Sequence, residues 1–114
     1  MGNRLQINRD HNRVLTGAYR LNHVAYLDET AIGALTELAV YVGFNMGTTG
    51  GLVVLEGGPY RDYEGEWAPL QRIPWTGEGK CAYAPITGAH LCVRIRIEAP
   101  ILGANGVDVW VAGA

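Results

Sequence analysis

The chain contains no serine. A serine nucleophile, with the Gly-x-Ser-x-Gly elbow that presents it, is therefore excluded. Cysteine is scarce, with only Cys81 and Cys92. Two thiols cannot build a disulfide framework and do not by themselves make a structural zinc site. They read as small apolar fillers, with one disulfide between them as the alternative. Charge is sparse as well: 18% of 114 residues, against about a quarter in an average soluble domain. Lysine occurs once, and the formal charge is −2. A nucleic-acid footprint over the whole chain is not expected from such a balance. No stretch approaches the roughly 18 apolar residues of a membrane span. The polar start, Met1 to Arg9, has no apolar signal core, so synthesis in a cytosol and no membrane partner are expected.

Tests for chemistry return little. His11, His23 and His90 are far apart, without the i, i+4 spacing of a helical metal site. Gly77-Glu78-Gly79-Lys80 resembles a phosphate loop only superficially. Pro74 stands where the first glycine belongs, and Cys81 where a hydroxyl should hold magnesium. Glu64 and Glu66 lie two apart in a glycine-rich acidic loop, whereas glycoside hydrolysis needs carboxylates opposed across a cleft. The expectation is a non-enzyme with no cofactor, no metal and no small-molecule ligand.

What the chain does have is apolar residues, at 48%, and 16 glycines, about twice the usual share. A core and many tight turns follow. Residues 1–13 are polar and carry Arg4, Arg9 and Arg13, so they read as an N-terminal arm ordered by a partner, or else as a frayed terminus. Residues 14–114 read as the folded domain. Strand material recurs at 14–19, 23–27, 38–44, 52–55, 67–73 and 81–84. The stretch 28–38 is ambiguous, with a possible helix cap at Asp28-Glu29-Thr30 and a weakening Gly33. Gly47 to Gly51 reads as a loop by composition. Pro69 makes 67–73 an edge or bulged strand.

Period-two alternation is clearest near the end. Leu91, Val93, Ile95 and Ile97 alternate with Arg94 and Arg96, and Val107, Val109 and Val111 with Asp108 and Trp110. The valines, isoleucines and Leu91 should face inward and the arginines outward. The Asn105-Gly106 turn suggests that these two strands form an antiparallel hairpin. Seven to eight short strands without βαβ alternation predict an all-β antiparallel sandwich, with jelly-roll or immunoglobulin-like connectivity.

Tyr60, Tyr63, Trp67, Trp75 and Trp110 are too many to fit one small core. Trp110 shares a strand face with Asp108, opposite the valines, so it should point outward and mark an interface or a sugar platform. Residues 1–20 carry net +3 and residues 50–79 net −3, a pattern suited to contacts between subunits. The candidate interface residues are therefore Arg4, Arg9, Arg13, Tyr41, Trp67, Trp75 and Trp110.

Three C-terminal segments, 85–89, 93–97 and 107–113, together with Leu52-Val53-Val54-Leu55-Glu56-Gly57 and Trp67-Ala68-Pro69-Leu70, carry a family resemblance. Over residues 38–114 the chain resembles small tailed-phage capsid cement (decoration) proteins with a jelly-roll-like β-sandwich. The resemblance implies a structural virion protein, made in a host cytoplasm. It would bind the outer surface of the major capsid protein shell and stabilise it as a homo-oligomer, a dimer or trimer. It carries over no enzymatic residues. Carbohydrate-binding sandwich modules share much of the layout. They stand as the alternative, together with another virion part such as a tail or head fibre.

Overall fold

The alternating segments form eight strands in a computed structural model that describes residues 13–28, 37–87 and 92–113. They are β1 (Arg13–Ala18), β2 (Val24–Asp28), β3 (Glu37–Phe44), β4 (Thr48–Gly58), β5 (Ala68–Pro74), β6 (Cys81–Thr87), β7 (Cys92–Gly103) and β8 (Val107–Gly113). The arm up to residue 12, residues 29–36 of the ambiguous stretch 28–38, and Leu91 lie outside the described residues, while Asp28 ends β2 and Glu37 and Leu38 begin β3. Arg13 is already the first residue of β1, so the folded domain starts there rather than at Val14.

Two antiparallel four-stranded sheets result, ordered β1-β8-β3-β6 and β2-β7-β4-β5. Strands pair first with last: β1 with β8, β2 with β7, β3 with β6 and β4 with β5. This is one long hairpin rolled up on itself, the jelly-roll arrangement. The β3–β8 and β4–β7 pairings close the roll.

The core lies between the sheets. Leu38, Val40, Val42 and Phe44 of β3, Val53 and Leu55 of β4, Val93, Ile95 and Ile97 of β7, and Val107, Val109 and Val111 of β8 all fill it. The predicted inward set is thus buried wherever it is described, and Arg94 and Arg96 lie on the outer side of their sheet.

The β7–β8 hairpin does not form. β7 runs on to Gly103 in one sheet, and β8 pairs with β1 and β3 in the other. Asn105 and Gly106, both at positive φ, turn the chain across the sandwich instead. Alternation reports which face of a strand is buried. It is silent on which sheet the strand joins, because both arrangements bury the same valines.

Two further readings change. Gly47–Gly51 is not simply a loop, since β4 begins at Thr48 and runs to β7 with three register shifts. Gly51, at φ 137°, is needed where Ile101 enters the core, because a Cβ there would sit on Ile101. β6 continues through Pro85, which is tolerated because β6 is an edge strand. Pro69 behaves as expected: β5 is an edge, with an irregularity where Leu55 and Glu56 face Gln71 and Pro69.

Candidate interaction surface

The two sheets present chemically opposite outer faces. On the β2-β7-β4-β5 sheet, register places Glu56 of β4 beside Arg94 of β7, with Arg96 two pairs along, opposite Val54. Glu56 is 5% exposed and takes three hydrogen bonds from them. Its Oε1 accepts from Arg94 Nε at 2.8 Å and Arg96 Nε at 3.0 Å, and its Oε2 accepts from Arg96 Nη2 at 3.1 Å. Burial pushes the Glu56 carboxyl up, but the hydrogen bonds from Arg96 and Arg94 outweigh it and hold the group below its ordinary range. The same bond to Glu56 raises Arg96. Arg72 donates to Glu98 at 2.8 Å farther along this face. Val54, whose register neighbours are Arg72 and Arg96, is also buried on this outer side. Long arginine stems cover apolar surface in this way while their heads stay solvated or paired.

The 60–67 loop folds over the same face. Trp67 is 4% exposed, and its indole N–H donates to the Tyr63 carbonyl at 3.0 Å. The Arg94 guanidinium lies 4.2 Å from the Trp67 ring centroid, and Tyr26 and Tyr63 pack against the ring at 6.1 and 6.4 Å. Trp67 therefore packs internally and is not available to a partner, which corrects its place among the interface candidates. The fold uses it to roof a small second core. Gly58 is the floor: a Cβ there would lie 2.6 Å from Trp67 Cε3. Gly58→Ala should accordingly cost about 1–3 kcal/mol through overpacking, read as a lower urea midpoint at unchanged m-value. An unchanged midpoint would show that the ring has room to move.

Trp75 is also internal in role. It is half-buried against the core, and its N–H donates to Thr48 Oγ1 at 3.0 Å. Cys92 is a buried filler, as expected, but Cys81 is exposed, and the two form no disulfide with each other.

The β1-β8-β3-β6 sheet is different. Its outer side carries a straight row of side chains across the strands. Tyr41 on β3 is directly opposite Tyr83 on β6 and Trp110 on β8, and Trp110 is opposite Arg13 on β1. Tyr41 and Tyr83 are 41% and 56% exposed, with ring centroids 5.2 Å apart and planes tilted by 42°. The Trp110 ring lies over Gly43, whose added Cβ would come within 3.0 Å of it. The Trp110 N–H is buried and has no acceptor among the described residues. Small residues, Ala39, Gly43 and Ala112, flank the row along the strands.

Charged positions on this side are few: Arg13, Asp108 and, by its register with Thr87, Glu37. Arg13 and Asp108 pair at 3.3 Å. Asp108 is further tied down by the Gly17 N–H at 2.7 Å and by Asn45 Nδ2 at 3.1 Å. Of the seven candidate residues, the structure thus brings Tyr41, Trp110 and Arg13 into one row. It sends Trp67 and Trp75 elsewhere, and Arg4 and Arg9 lie outside the described residues. Tyr83 was missed. Its alternation with Ala82 and the buried Ala84 marks it as outward, but only register puts it beside Tyr41.

Among the described residues no group of three or more His, Cys, Asp or Glu is arranged to hold a metal ion. Comparison with protein families, curated proteins and solved structures finds no match to this chain.

Proposed function

We propose that the protein is a structural virion component, a decoration protein that binds the outer surface of a phage major capsid protein shell and stabilises it. The observation that carries this reading is the neutral aromatic row on one broad face of a jelly roll, a surface suited to burial against protein. Contiguous exposed aromatics of this kind mark association surfaces. The tilt between Tyr41 and Tyr83 favours this over the sugar-binding alternative, because a sugar platform needs coplanar rings. On this reading the aromatic face lies against the shell, the arm with Arg4 and Arg9 adds contacts to it, and copies associate as a homo-oligomer. Each copy then adds attachment points, and avidity grows without new kinds of contact.

The test is assembly in a host cytoplasm with the cognate shell. The protein is expected to co-purify in fixed stoichiometry with the icosahedral particle. Removal of residues 2–12 is expected to lower its occupancy most at low salt, with the difference from the intact protein shrinking as salt screens the arginine contacts. Failure to co-purify at any salt concentration would overturn the reading. Specific retention on a polysaccharide column would favour the sugar-binding module instead.

A further inference from the structure

We infer that Asn105 is a site of spontaneous deamidation, held in check by the folded turn around it, and that the products cannot rebuild that turn. Asn105 is the only asparagine of the chain followed by glycine. In such a pair the glycine nitrogen reaches the preceding side-chain amide with no Cβ in its way. The Gly106 nitrogen bonds to Asn105 Cγ, and the Cγ–Nδ2 bond breaks. The proton of the Gly106 N–H passes through solvent to the departing amide, which leaves as ammonia. Water then opens the resulting five-membered imide at one of its two C–N bonds. Cleavage at Cγ gives an aspartyl residue. Cleavage at the main-chain carbonyl gives an isoaspartyl residue, whose backbone runs through Cβ. The balance is water consumed and ammonia released, with no change of oxidation state.

The fold keeps this labile pair in place. Gly106 is at φ 59°, and a Cβ on it would lie 2.6 Å from the Ala18 carbonyl oxygen. Asn105 is at φ 70°, a conformation that asparagine enters more readily than most residues. Asn105 is exposed, and the Gly106 N–H donates to no described residue. Electrophile and nucleophile are thus adjacent, and the nitrogen is not engaged elsewhere.

The restraint comes from the β3–β4 turn. Asn105 Nδ2, the group that must leave, donates to the Met46 carbonyl at 2.8 Å. Asn45 Nδ2 donates to the Asn105 carbonyl at 2.8 Å and to Asp108 Oδ1 at 3.1 Å. The Asn45 N–H donates to the Gly106 carbonyl at 3.1 Å. Closing the imide requires rotation of both the side chain and the main chain at Asn105, and these bonds oppose both. The reaction therefore runs from the fraction of molecules in which this turn is open.

The products fit worse than the asparagine. An aspartyl carboxylate has no proton to donate to the Met46 carbonyl, and it adds a negative charge to a turn that already holds Asp108. An isoaspartyl residue lengthens the main chain next to Ala104, whose N–H donates to the Gly47 carbonyl at 2.9 Å. Either change loosens the crossing that delivers Val107 into the core.

The site depends on neither the shell nor the aromatic face, so its test fails separately from the capsid reading. The purified protein is incubated at mildly alkaline pH, natively and in guanidinium chloride. Peptide mapping by mass spectrometry follows conversion at each asparagine. Asn105 should convert at least about tenfold more slowly in the native protein than in the unfolded chain. Folded Asn45→Ala, which lacks both side-chain bonds of Asn45, should convert faster than the native wild type. Asn105→Asp, which stands for one product, should unfold at a lower urea midpoint than the wild type. Circular dichroism establishes that each variant is folded, and the comparison of native with unfolded wild type stands without the variants. Equal rates in native and unfolded wild type overturn the proposal. So does an absence of conversion at Asn105 in the unfolded chain, a folded Asn45→Ala variant no faster than wild type, or a wild-type midpoint for Asn105→Asp.

Discussion

Trp67→Ala is expected to lower the unfolding free energy by about 3–5 kcal/mol, the range for removing a buried large aromatic. Several losses act together at this site. The ring is 4% exposed, it sits directly on Gly58, and its N–H bond to the Tyr63 carbonyl anchors the 60–67 loop. Arg94 would also lose the ring face 4.2 Å from its guanidinium. Urea titration of the variant measures the change. Trp110→Ala serves as the comparison, because that ring lies on the outer face, in the row with the exposed Tyr41. A Trp67 loss below about 1 kcal/mol, the size of an ordinary surface effect, would mean that the loop and its tryptophan do not form a second core.

The second large effect belongs to Glu56. Glu56→Ala removes the carboxylate that Arg94 and Arg96 share and leaves two mostly covered guanidinium groups without it. Breaking a buried ion pair from one side costs about 3–5 kcal/mol. Because both arginines retain some exposure, the loss here should fall near about 3 kcal/mol. The pH dependence follows from the direction of the carboxyl shift. A carboxyl held below its ordinary range in the folded state binds its proton more readily when unfolded. Its contribution is therefore complete above the unfolded glutamate value, about 4.3, and is lost as pH falls through the lower folded value. The stability gap between the wild type and Glu56→Gln should be widest near neutral pH and should narrow in acid over that window. Thermal unfolding across a pH series measures it. A gap that stays constant down to the lowest pH would assign the cost to packing rather than to charge.

Both effects arise on a face that was only partly legible. Arg94 and Arg96 could be read as outward, because they alternate with Val93, Ile95 and Ile97. Glu56 stood at the end of the apolar run from Leu52, and nothing in the local sequence pointed to Arg94 and Arg96 as its partners. Its partners lie 38 and 40 residues away. Tyr26 and Trp67 are 41 positions apart and meet only because β2 and the loop before β5 flank β7 and β4. Trp67 looked like an interface residue because aromatics outnumbered the places in one core. The molecule resolves that excess by building a second, smaller core outside the sandwich.

By itself the sequence determined the all-β class, the positions of most strands, and the inward and outward sides of residues 93–97 on β7 and 107–111 on β8. The physical reason is that side-chain alternation along a strand is a local property with a period of two. Proline placement is equally local, and Pro69 marked the edge character of β5. Tertiary structure alone decided that β7 and β8 part into different sheets, and that Tyr83, Tyr41, Trp110 and Arg13 stand in one line. It also decided that Glu56 sits between two arginines. Strand order and register depend on contacts between segments distant in the chain. Many pairings would satisfy the same alternating pattern, and only packing the complete core selects among them.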